Sequence, residues 1–229
     1  MIFSLLDDDP RRSRRASRTV GKVTLGEITK FDEFADLDLS YLELMPASDL
    51  IDEHALNVVT AALFGVALWR LGLTPELPAV LAFIFGGVLL AVIDMKVQRL
   101  PTRLTYLTLA GVGAGLLFAS VVQREWVPLA TAVAGGLLFA NAFFLIWLVG
   151  RNLVGVMVIG LGDVRLALVL GLLLGWYGLP YVLYGAIAGN LLALVVVGVL
   201  YVRKGSLQAR YSFGPSLIAG TLAVVLFHG

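Results

Sequence analysis

The chain has 229 residues, 59% of them hydrophobic, with a mean hydropathy of +0.91, against an apolar content of about 45–50% in soluble domains. It holds no cysteine and only two histidines, His54 and His228, which excludes disulfides, iron–sulfur clusters and thiolate zinc sites and leaves no expected metal or other cofactor. A net charge of +1 makes no electrostatic case for a nucleic-acid partner. The reading is an integral membrane protein, with the lipid bilayer as its surroundings.

Residues 1–53 stand apart as a polar N-terminal segment carrying 12 of the 16 acids. The opening MIFSLL is too short for the apolar core of a secretory signal and runs directly into DDDPRRSRR. The basic run RRSRRASR (11–18) reads as a solvated tail, with contact to anionic lipid as the functional alternative. In LGEITKFDEFADLDLSYLELM, Leu25, Ile28, Phe31 and Phe34 recur at helical spacing. A short acidic amphipathic helix is expected there, one that binds a partner or packs on itself rather than on an anionic bilayer.

From residue 54 the chain is almost continuously apolar. A spanning helix needs roughly 20 apolar residues, and seven stretches qualify: 54–73, 77–95, 104–123, 127–149, 159–177, 179–201 and 212–228. LTPELP, KVQRLPTR, QREWVP, GRN, GLP and RKGSLQAR break them with turn or charge signals. An all-α polytopic bundle of about seven transmembrane helices follows (six to eight, given uncertain edges), forming one domain over 54–229. Gly111/Gly115, Gly171/Gly175 and Gly185/Gly189 have the small-xxx-small spacing that brings helix backbones together. Asn141 and Asn190 are expected to hydrogen-bond between helices.

Basic residues collect on the cytoplasmic side. With the N-terminus inside and sides alternating, the cytoplasmic segments hold 15 of the 17 bases, and only Arg70 and Arg124 fall outside. After residue 53 four acids remain: Glu76, Asp94, Glu125 and Asp163. Glu76 and Glu125 fall in outer loops. Asp94 and Asp163 both fall at cytoplasmic helix ends, where each alone reads as an interfacial charge or, for Asp163, a helix N-cap. Brought within hydrogen-bonding distance, two carboxyls cannot both ionise cheaply and titrate as a unit. Such a pair holds a water: the ionised member takes its proton during attack on a peptide carbonyl, and the protonated member donates to the carbonyl oxygen. Gly160 and Gly162 would let an extended substrate backbone approach Asp163.

IDMKVQRLPTRLT (93–105) and GLGDVRL (160–166) resemble the two aspartate motifs of type IV prepilin peptidases, the GxGD-type intramembrane aspartyl proteases. Asp94, Leu100-Pro101 and Leu104-Thr105 fill the first motif; Gly160, Gly162, Asp163 and Arg165 fill the second. Phe213-Gly214-Pro215 is similar to a tripeptide that often opens that family's last helix. Thr102 stands where the family usually has Asn or Asp, and Arg165 where Lys is commoner. The cysteine-paired zinc loop of long members is missing, so the resemblance is to a short form. It implies an aspartyl endopeptidase with Asp94 and Asp163 as catalytic pair, and Gly160, Gly162, Pro101 and Arg165 as motif or substrate-approach residues. It further implies substrates that are pilin-like precursors, each with a transmembrane N-terminal helix, cut at the cytoplasmic face of the cell membrane. The alternative from another class is a small proton-coupled transporter using Asp94 and Asp163 as a relay. A relay favours acids at several depths, whereas both lie at one end.

Overall fold

The computed structural model describes residues 53–97, 100–154, 160–204 and 213–228. The basic run, the acidic amphipathic stretch and Arg99 lie outside them. Seven α-helices occur among the described residues: α1 Glu53–Leu71, α2 Leu77–Val97, α3 Thr102–Gln123, α4 Val127–Val149, α5 Leu161–Tyr177, α6 Leu179–Lys204 and α7 Gly214–His228. They fall on the seven apolar stretches. The reason is local: a backbone in hydrocarbon must satisfy its own N–H and C=O groups, and an unbroken apolar run does so as a helix.

The breaks follow turn chemistry. Gly72 takes φ +64° after α1 and donates its N–H to the Leu68 carbonyl at 3.0 Å, a left-handed stop that glycine adopts freely. Pro101 separates α2 from α3, because the residue before a proline is pushed out of the helical region. Arg124 ends α3 in the left-handed region with φ 58°, its N–H bonded to the Ser120 carbonyl. One feature was not legible in sequence. α4 runs on into a π-helical turn, Gly150–Val154.

Among the described residues, four helices are long and apolar enough to cross a membrane: α2, α3, α4 and α6. With 17 residues in α5 and 15 in α7, a rise of about 1.5 Å per residue leaves both short of a hydrocarbon core of about 30 Å. Their burial accounts for this. Leu166, Ala167, Val169, Leu170, Leu173 and Leu174 of α5 are fully buried, and α5 packs against α3, α4, α6 and α7. A helix sheathed in protein is not held to bilayer thickness. The outer faces of α3, α4 and α6 expose Leu107, Phe118, Leu138, Leu145, Leu191 and Leu194, the apolar surface of a multi-pass membrane bundle.

Glycine sets the helix spacing. α4 and α5 make the most extensive contact, and a Cβ on Gly171 would lie 2.5 Å from the Gly135 carbonyl oxygen and 2.8 Å from Phe139 Cβ. A Cβ on Gly175 would lie 2.6 Å from the Thr131 carbonyl oxygen, and one on Gly115 would lie 2.6 Å from the Ala79 backbone of α2. The two asparagines correct an expectation. Asn141 donates to the Leu137 carbonyl and Asn190 to the Ala186 carbonyl, each at 2.8 Å and four residues back on its own helix. Both side chains are exposed, so among the described residues the acceptor is the helix's own backbone.

Contacts sort by end, as alternating helices require. Arg70 donates to the Leu226 carbonyl at 2.9 Å and Gln123 to Glu76 at 3.3 Å at one end. At the other end Gly214 meets Asp94, and Thr102 meets Arg165.

Candidate active site

Asp94 sits in the last turn of α2 and is only 6% exposed, the sole buried carboxylate among the described residues. A buried carboxylate needs partners, and one comes from the far end of the chain: the Gly214 N–H donates to Asp94 Oδ2 at 3.1 Å. Gly214 is the first residue of α7, so the positive end of that helix faces the carboxylate. The residue must be glycine for space, since a Cβ there would collide with Asp94 Oδ2. Gly214 lies in the Phe213-Gly214-Pro215 tripeptide, which the sequence singled out without giving it a role.

Asp163 lies in the first turn of α5, at the third helical position rather than at the N-cap, which is Gly160. The Gly160 N–H donates to Asp163 Oδ2 at 3.1 Å, and the Asp163 N–H donates to the Gly160 carbonyl at 3.1 Å. These reciprocal bonds satisfy two otherwise orphaned helix-end groups and fix the carboxylate's direction. At Gly160 a Cβ would meet, among the described residues, nothing nearer than Asp163 Oδ2 at 3.7 Å, an ordinary contact. At Gly162 the equivalent space is taken, with Leu100 Cβ 3.1 Å away.

The two motifs therefore meet. Gly162 abuts Leu100; Arg165 Nη1 donates to Thr102 Oγ1 at 2.6 Å; the Arg165 guanidinium stands 6.0 Å from the Tyr106 ring centroid. The Pro101 carbonyl accepts both the Thr105 N–H and the Thr105 hydroxyl at 3.1 Å, anchoring the start of α3. Asp94 and Asp163 thus lie at the same end of the bundle, each next to a contact with another element. Between α1, α2 and α7 lies an open pocket of about 450 Å³ lined by apolar residues that include Met95 and Pro215. Sequence reasoning placed Asp94, Pro101, Gly160, Gly162, Asp163 and Arg165 at one end. It missed Leu100 as a packing partner and noted Thr102 only as a departure.

Residues 81–202 match the type IV leader peptidase family. Three similar proteins carry the name prepilin leader peptidase/N-methyltransferase. The one from Pseudomonas putida is 33% identical over 170 residues, covering 74% of this chain and 57% of that protein. The one from Dickeya chrysanthemi is 37% identical over 161 residues, covering 69% and 53%. The one from Bacillus subtilis (strain 168) is 27% identical over 179 residues, covering 76% and 65%. The matched region thus spans a little over half the length of the first two relatives. No solved structure matches.

Proposed function

Because this chain belongs to the type IV leader peptidase family, we propose that it is a membrane-embedded aspartyl endopeptidase that removes the leader of pilin-like precursors at the cytoplasmic boundary of the cell membrane. The observation that carries the reading is the meeting of two motifs whose aspartates are 69 positions apart, through Arg165 on Thr102 and Gly162 on Leu100, at one end of the bundle. In the proposed reaction a water lies between the carboxyls. The ionised member takes a proton from the water as its oxygen attacks the scissile carbonyl. The protonated member donates to the carbonyl oxygen, and a proton then passes to the departing amine. The Gly214 and Gly160 amides aim the two carboxylates. The methyl transfer in the relatives' names is not part of this proposal, and no observation favours the transporter reading.

Co-expression with a pilin-like precursor tests the proposal. The parent protein shortens the precursor on a gel. D94N and D163N each abolish the shift while the variant protein stays inserted and abundant. Shortening that persists in either variant would overturn the assignment of the pair.

A further inference from the structure

The helices that carry Asp94 and Asp163 hardly touch. α2 packs on α1, α3 and α7, and α5 packs on α3, α4, α6 and α7. The separation of the two carboxyls is therefore set through the helices between them. On the α7 side the tie is the Gly214 amide. On the α3 side it is a side-chain pair to which the proposed reaction gives no part.

We propose that Thr102 and Arg165 form a latch that sets the approach of Asp163 to Asp94, so that Arg165 serves the reaction by positioning rather than by holding substrate. This rests on the reading of the two aspartates as the reacting pair. Thr102 is the first residue of α3, directly after Pro101, so its hydroxyl is carried on a stiff start of helix. Arg165 is two residues beyond Asp163 in α5. The bond between them is short, 2.6 Å, and partly buried, and a hydrogen bond from a charged donor is stronger than a neutral one. The Tyr106 ring lies one turn further along α3, 6.0 Å from the guanidinium, within the range of a cation–π contact. Leu100 closes on Gly162 beside it. Three contacts thus join one short stretch of α3 and its lead-in to one turn of α5.

A latch has a kinetic signature. Loss of either partner moves the carboxyls and leaves substrate binding alone, so kcat falls and KM holds. Loss of both adds little, because the same bond is already gone. For T102V, R165M and the double variant we expect a similar fall in kcat of about tenfold or more, the size of a lost charge-assisted hydrogen bond. T102S keeps the accepting oxygen and restores the rate. A guanidinium that gripped the substrate would instead raise KM in R165M alone, and its effect would multiply with that of T102V.

Position is read separately from activity. The chain has no cysteine, so the pair Leu100→Cys and Gly162→Cys reports without background. A Cβ at 162 would lie 3.1 Å from that of residue 100, close to the roughly 3.5–4.5 Å of a disulfide. Oxidation in membranes, followed by mass-tagging of remaining thiols, is expected to show rapid bonding in the parent and with T102S. With T102V or R165M it is expected to be several-fold slower. Unchanged bonding rates, or multiplying kinetic losses, would overturn the latch. If the parent cleaves no precursor, the proposed activity fails, while the bonding rates still decide the latch.

Discussion

Asp94 depends on a residue 120 positions away. The Gly214 amide is bonded to its buried carboxylate, and the absence of a side chain at 214 is what leaves room for it. In G214A the added methyl forces the carboxylate off its line. Displacements of about 1 Å at a reacting group cost about 100-fold in rate, so cleavage by G214A is expected to fall by that order. Alanine is the better helix former, so α7 itself is not weakened. Precursor processing measured against the amount of inserted protein checks this, and normal processing would show that the carboxylate tolerates the shift. Asp163 is less exacting: its amide partner Gly160 is three residues away in the same turn, so local chain geometry alone aims it.

The element that organises the site is α5, and its position is set by glycine. Against α4 it presents Gly171 and Gly175, where backbone approaches backbone too closely for any side chain. Gly171→Val is expected to destabilise the bundle by about 1–3 kcal/mol through overpacking, seen as a lower thermal midpoint of the detergent-solubilised protein. Gly113→Val makes the control, since nothing lies within 4 Å of a Cβ there; its midpoint is expected to match the parent's. The small-xxx-small spacing was legible in the sequence as a packing signal. Which helix each glycine meets was not, because the spacing specifies a face and not its partner. The asparagines show the same limit from the other side: a polar group in an apolar run signals a hydrogen bond, and only the surroundings decide whether a neighbour or its own helix supplies the acceptor.

Across the whole molecule, the ends are the informative coordinate. Contacts involving Glu76, Gln123 and Arg70 gather at one end, and those of Asp94, Thr102, Arg165 and Gly214 at the other. With the basic loops on the cytoplasmic side, the carboxyl pair is expected to face the cytoplasm. Single cysteines test this in a chain that has none. A membrane-impermeant maleimide applied to intact cells is expected to label Glu125→Cys and to miss Arg151→Cys until the cells are opened. The reverse pattern would invert the orientation, and labelling of both would break the alternation.

By itself the sequence determined the helices and the end at which each motif lies. Those properties are local: in hydrocarbon each apolar run must close its own hydrogen bonds, and a charge count orients the set. Tertiary structure alone decided that α2 and α5 stay apart and are joined through α3 and α7. It also assigned the Gly214 amide to Asp94 and the Thr102 hydroxyl to Arg165. These depend on which faces pack together, and side-chain type does not encode that when every face of a helix is apolar.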